Sequence, residues 1–154
     1  METINFQLNK TSHSVTVDPE EPLLYILREE FGLNGAKFGC GLHQCGACMV
    51  LVDGKAQFTC RRPCKDFKSK NIETIEGLEN ENHLHPVQEA FIETQAAQCG
   101  YCLNGMLIAT VGLLRENPNP SEEQIRASLQ TVLCRCGTHS RFFKAVQLAA
   151  KKIQ

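Results

Sequence analysis

The sequence of 154 residues has no run of eighteen apolar residues, so no segment of it reads as a membrane-spanning helix. It has no excess of positive charge. Sixteen Lys and Arg stand against seventeen Asp and Glu, a net charge of −1, which argues against a nucleic-acid partner. The first residues, Met1-Glu2-Thr3-Ile4-Asn5-Phe6, have neither the charged n-region nor the apolar h-region of a secretory signal. Nowhere do Ser and His, or a carboxylate, fall in a local setting that would make a nucleophile or a general base. At 42% hydrophobic and 21% charged, the composition is that of an ordinary globular protein with enough apolar residues for a core.

What the chain has in quantity is cysteine, nine residues in all. The chain is longer than the small secreted scaffolds that need disulfide staples, and with no signal ahead of it the cysteines predict metal or cluster binding. Three lie in Gly39-Cys40-Gly41-Leu42-His43-Gln44-Cys45-Gly46-Ala47-Cys48, and Cys60 follows. This is the C-x4-C-x2-C…C spacing of a plant-type [2Fe–2S] site. Two bridged irons need four thiolates arriving from several directions. A tight glycine-rich loop can supply three, and a neighbouring element must return the fourth. The loop N–H groups can then hydrogen-bond the cluster sulfurs. Cys45-x2-Cys48 would also suit a zinc knuckle, although zinc sites usually pair two C-x2–4-C units. Cys64 is surplus to a four-thiolate site and reads as a structural or incidental thiol.

The elements around this loop follow from periodicity. Ile4, Phe6 and Leu8 alternate with polar residues, as do Val15 and Val17, and the polar stretch 9–12 joins them as a β-hairpin. Leu24, Leu27 and Phe31 predict a helix over residues 22–31, with Gly32 placed to stop it. Asp53-Gly54 between residues 49–52 and 55–59 is a second hairpin, and it carries Cys60 back toward the loop. Residues 71–75 supply a last strand. This order predicts a small β-grasp ferredoxin-like domain over residues 1–76, within an α+β chain.

After a polar, acidic stretch at 76–82, read as a linker, the periodicity becomes helical. Pro86 opens a helix with Val87, Ala90, Phe91 and Thr94 on one face. Leu107, Val111 and Leu114 mark a second, ended by Asn117-Pro118. Ser121-Glu122-Glu123-Gln124 is a capping box for a third, with Ile125 and Leu129 inward, and Phe142, Val146, Ala149 and Ile153 mark a fourth. Residues 77–154 therefore predict a four-helix bundle. Cys99-x2-Cys102 and Cys134-x-Cys136 sit at its helix ends and offer four more thiolates. They suit a zinc ion or a second cluster, and the C-x-C half is too short for the usual zinc-ribbon repeat. Beside the first loop they suggest two one-electron centres in one small protein.

With both cysteine sets in this order, the chain resembles the small iron–sulfur subunits of the molybdenum hydroxylases, the xanthine dehydrogenase and aldehyde oxidoreductase family. The likeness runs through Gly39-Cys40-Gly41…Cys45-Gly46-Ala47-Cys48, residues 72–78, Gln98-Cys99-Gly100-Tyr101-Cys102 and Cys134-Arg135-Cys136-Gly137-Thr138. Ala36-Lys37-Phe38-Gly39-Cys40, Gln44 and Cys136-Gly137-Thr138-His139-Ser140-Arg141 look closest to subunits of the isoquinoline oxidoreductase type. The resemblance implies two [2Fe–2S] clusters, one on Cys40, Cys45, Cys48 and Cys60, the other on Cys99, Cys102, Cys134 and Cys136. It implies a separate large subunit carrying molybdenum on a pterin, often the cytosine dinucleotide, with Gln98 and Cys136 near that pterin. That subunit would oxidise an aldehyde or an N-heteroaromatic carbon with oxygen from water. Electrons would pass through the helical-domain cluster, then the ferredoxin-domain cluster, to a flavin (FAD) subunit, a cytochrome or another acceptor. The chain alone would have no hydroxylase activity. It is expected in the cytoplasm, and periplasmic export would need a signal-bearing partner subunit.

Two positions depart from the family pattern. His43 stands where many members have glycine, and histidine tolerates positive φ better than a branched residue. A ligand role for His43 is disfavoured because four thiolates already serve the loop. Leu103-Asn104 replaces a frequent Thr-Pro, with Asn104 read as a helix cap. A free two-cluster ferredoxin carrier and a zinc-bound interaction module are the competing readings.

Overall fold

The computed structural model describes residues 1–80 and 83–154. Strands β1 (Glu2–Leu8) and β2 (Thr11–Val17) pair antiparallel with Ile4 opposite Val15. Their turn is tighter than the sequence suggests, with Asn9 and Lys10 both at positive φ, as a two-residue hairpin requires. Helix α1 (Leu23–Glu29) buries Leu23, Leu24, Ile26 and Leu27. It ends earlier than predicted. Gly32 at φ 65° turns the chain, and the Leu33 N–H returns to the Leu27 carbonyl. β3 (Val50–Val52) and β4 (Lys55–Gln57) flank Asp53-Gly54 as expected. β5 (Asn71–Glu73) completes a mixed sheet in the order β2-β1-β5-β3-β4, parallel to β1 and antiparallel to β3.

The predicted strand 71–75 stops at Glu73, because Thr74 turns to bond Asn9 and Ile75 opens a 3-10 turn at Ile75–Gly77. The stretch read as a linker is tied down at its start. The Glu76 carboxylate accepts the Gly35 N–H at 2.7 Å, and Leu78 is buried. Residues 81 and 82 of that stretch lie outside the described residues.

The four helices are α2 (Pro86–Glu93), α3 (Leu103–Glu116), α4 (Glu122–Leu129) and α5 (His139–Ile153). Ser121 and Gln124 form the predicted capping box, and Pro86 stands at the start of α2 with His85 capping. The α5 stripe is one turn shorter than read: Ala149 and Ala150 are buried, whereas Ile153 is exposed.

The sheet has a core on each face. Val50 and Val52 join Ile4, Phe6, Leu24, Leu27 and Ile72 on the α1 side. Leu51, between them, points the other way and joins Met106, Ile108, Phe91 and Phe142 among the helices. Period-two alternation thus makes β3 a wall shared by both cores. α3 lies against that wall, and a Cβ at Gly112 would stand 3.3 Å from the Ala56 nitrogen. No helix among the described residues is long and apolar enough to cross a membrane.

Candidate metal centres

Residues 39–48 form a loop between α1 and β3, closed at its ends by the Lys37 N–H on the Ala47 carbonyl at 2.9 Å. The β3–β4 hairpin returns Cys60. Thr59 ties it to the loop, donating its N–H to Cys48 Sγ (3.4 Å) and its hydroxyl to the Cys48 carbonyl (2.7 Å). Cys48 and Cys60 are buried and within hydrogen-bonding reach of each other, with Cys40 close enough to act on Cys60 electrostatically. Cys40 and Cys45 are half-buried.

The loop backbone serves the sulfurs. Leu42 and Gln44 donate N–H groups to Cys40 Sγ at 3.2 and 3.4 Å, and Cys40 donates its own to Cys45 Sγ at 3.3 Å. Burial pushes the Cys40 thiol up, but these donors outweigh it and bring it down to about 7. Burial pushes the Cys60 thiol up to about 11. Loading this site therefore releases the Cys60 proton. The His43 and Cys45 N–H groups turn toward Cys60 and Cys40, and those of Gly41, Gly46, Ala47 and Cys48 have no acceptor among the described residues. Four sulfurs beside a shell of free donors fit an anionic, sulfur-bridged cluster.

The second set lies at the helix ends. Cys102 occupies the N-cap position of α3, and Cys134 and Cys136 lie in the turn between α4 and α5. Cys99 is a hydrogen-bonding neighbour of Cys136, and Cys102 of Cys134; Cys134 acts electrostatically on the other three. Burial, then Cys134, pushes the Cys102 thiol up to about 12. The Tyr101 N–H lowers the exposed Cys99 thiol. Burial raises Cys134, but hydrogen bonds from Cys136, Cys102 and Thr138 leave it lowered. Gln98 and Cys136 line one cleft of about 550 Å³ with Thr138, Ser140 and Arg141. Among the described residues no three His, Cys, Asp or Glu side chains gather as closely as one metal ion requires.

The two sets meet at hydrogen bonds that spacing could not reveal. Leu133, the residue before Cys134, donates its N–H to the Cys45 carbonyl at 2.9 Å. Gly105 on α3 permits the approach, since a Cβ there would stand 2.4 Å from the Gly46 carbonyl oxygen. The Tyr101 hydroxyl donates to the Phe38 carbonyl alongside.

Two family descriptions together match nearly the whole chain: a 2Fe-2S iron-sulfur cluster binding domain over residues 6–70 and a [2Fe-2S] binding domain over residues 74–147. A nicotinate dehydrogenase subunit of Pseudomonas putida is 50% identical over 149 residues, which cover 97% of this chain and 95% of that one. The alpha subunit of isoquinoline 1-oxidoreductase from Brevundimonas diminuta is 44% identical over 150 residues, covering 97% and 98%. The chain belongs to the small iron–sulfur subunits of the molybdenum hydroxylases. The aldehyde oxidoreductase of Desulfovibrio gigas superposes with a TM-score of 0.94 at 36% identity, over 99% of this chain and 17% of that much longer one.

Against the family pattern, His43 does take positive φ, at 57°. Its Nε2 accepts the Arg61 N–H at 3.1 Å and its ring stacks on Phe58 at 5.7 Å, so the imidazole braces the loop against the residue after Cys60. Burial first, then Arg61 and Arg62, lowers its pKa. Asn104 is not a cap. Cys102 holds the N-cap position with no side-chain bond, and Asn104 lies buried at 2% exposure. Its Nδ2 reaches across to the carbonyls of Ala47 (3.1 Å) and Met49 (2.9 Å), while Oδ1 has no partner among the described residues. An unpaired buried acceptor costs about 1–3 kcal/mol, which largely offsets the two bonds.

Cys64 is fully buried beneath α1, in the apolar cluster that also holds Cys48 and Cys60. Burial, then the Glu21 charge, pushes its thiol from 9.0 up to about 11. The thiol's contribution is complete below pH 9 and is lost as pH rises, because the unfolded chain ionises first. Between pH 9 and 11 this one group should remove about 2–3 kcal/mol of stability. Denaturant unfolding from pH 8 to 10.5 should show a steeper fall for the native chain than for Cys64→Ala. Parallel slopes would refute the assignment.

Proposed function

We propose that this chain is the electron-relay subunit of a molybdenum hydroxylase and works beside a large molybdenum–pterin subunit. In this reading residues 1–76 hold one [2Fe–2S] cluster on Cys40, Cys45, Cys48 and Cys60, and residues 77–154 hold another on Cys99, Cys102, Cys134 and Cys136. When bound, the two clusters take up and release electrons one at a time, so that an electron pair drawn from substrate reaches a flavin subunit, a cytochrome or another acceptor singly. The protein's part is to fix and tune. The buried Cys48 and Cys60 keep water from one side of their site, and the loop N–H groups stabilise added charge there. Gln98 and Cys136, on their shared cleft, face the partner's pterin, for which we propose the cytosine dinucleotide form.

The observation that carries the reading is the Leu133 N–H on the Cys45 carbonyl, which joins the segment of one cysteine set to that of the other. A fixed subunit is favoured over a free carrier by the apolar surface beside it. Leu133 is 70% exposed at the edge of a groove of about 750 Å³ that Leu129 and Phe143 also line. The printed names of the relatives, nicotinate dehydrogenase and isoquinoline 1-oxidoreductase, support an N-heteroaromatic substrate on the partner, with an aldehyde as the other class. In the aldehyde oxidoreductase the matching stretch is part of one longer chain, which supports permanent attachment.

The complex purified from its native host should contain a molybdenum chain roughly three- to fivefold larger. It should carry about four irons per small chain and two paramagnetic signals on full reduction. The small chain alone should be red-brown and turn over neither an aldehyde nor an azaarene. A colourless zinc protein, a single signal, or turnover without the partner would overturn the reading.

A further inference from the structure

We infer that Asn104 is a positioning residue that raises the reduction potential of the ferredoxin-domain centre from the other side of the domain boundary. The inference depends on the two-centre reading above. Asn104 stands in the first turn of α3, two residues after Cys102, yet both of its Nδ2 bonds go to the opposite half. They fall on the Ala47 and Met49 carbonyls, which bracket Cys48. Ala47 O is held a second time by the Lys37 N–H at 2.9 Å.

A trans peptide points its N–H opposite to its carbonyl, and no peptide in the chain is cis. With Ala47 O drawn toward α3, the Cys48 N–H is turned away from α3, and no acceptor among the described residues takes it. An N–H held free beside a ligating sulfur is available to the bound cluster, where it stabilises the added electron. Stability alone does not explain the choice of amide, since its buried Oδ1 is unpaired among the described residues. A proline here, as in the Thr-Pro pattern, could make neither bond. Leucine would fill the same volume but leave Met49 O without that donor and Ala47 O with the Lys37 N–H alone, so the Ala47–Cys48 peptide would be held less firmly.

The test uses the intact complex and redox titration followed by paramagnetic resonance, with the ferredoxin-domain signal identified as the one missing from Cys45→Ala. Native complex with one signal would remove the two-centre reading and this inference with it. Given two signals, Asn104→Leu should lower the midpoint potential of the ferredoxin-domain signal and leave the helical-domain signal in place. Asn104→Ser, whose hydroxyl keeps one donor, should produce a smaller shift in the same direction. Unchanged potentials, or equal shifts of both signals, would overturn the inference while the two-centre reading stands. If Asn104→Leu loses iron, loss confined to the ferredoxin-domain signal supports the role, and equal loss from both centres overturns it.

Discussion

Cys45→Ala should abolish one paramagnetic signal, remove about half of the iron, and slow steady-state acceptor reduction by more than ~100-fold, since changes in the outer shell alone cost 10–100-fold. The substitution isolates the thiolate. Cys45 contributes its sulfur to one set and its backbone carbonyl to the Leu133 bond, and only the sulfur is lost. The fold and the contact between the halves should therefore survive, and the helical-domain signal should persist. Iron analysis, resonance spectra and acceptor-reduction assays on the same complex would check this. Full iron content, or an unchanged rate of acceptor reduction, would remove Cys45 from the ligand set.

Gly105→Leu should damage the contact itself. Gly105 has ordinary helical backbone, so conformational freedom is not the reason for glycine there. The reason is space: a Cβ would meet Gly46 O at 2.4 Å and Val132 Cγ1 at 3.0 Å. Backbone cannot yield as a flexible side chain would. Overpacking of this kind typically costs about 1–3 kcal/mol, which for a chain of this size lowers Tm by roughly 2–12 °C. The magnetic interaction between the two reduced centres should weaken as α3 is pushed from the loop. Calorimetry and resonance spectra together would check it. An unchanged Tm with unchanged spectra would mean that α3 does not press on the loop as described.

What the sequence made legible was local. The Asp53-Gly54 hairpin and the Ser121 capping box each depend on residues a few positions apart, and each appears where expected. What it hid depends on contacts between distant segments. Val50-Leu51-Val52 is a short apolar run that does not reveal its second face, so the helices read as an independent bundle rather than a layer on the sheet. Asparagine near a helix start is usually a cap, and local pattern points Asn104 to that role. Its partners, more than fifty residues away, leave no trace in local pattern. Glu76 looked like part of a linker because acidic residues usually face solvent, yet it binds the Gly35 backbone. His43 is the exception, a departure whose positive φ could be anticipated from side-chain sterics.

The strand shared by the two cores also limits motion. Swinging the helical half away would pull Leu51 out of one apolar cluster while its neighbours stay anchored in the other. The shared strand thereby opposes hinge opening, which would keep the gap between the sulfur sites fixed. In the proposed two-centre relay, tunnelling across it would be set by separation and driving force, and internal exchange would be indifferent to the viscosity of the medium.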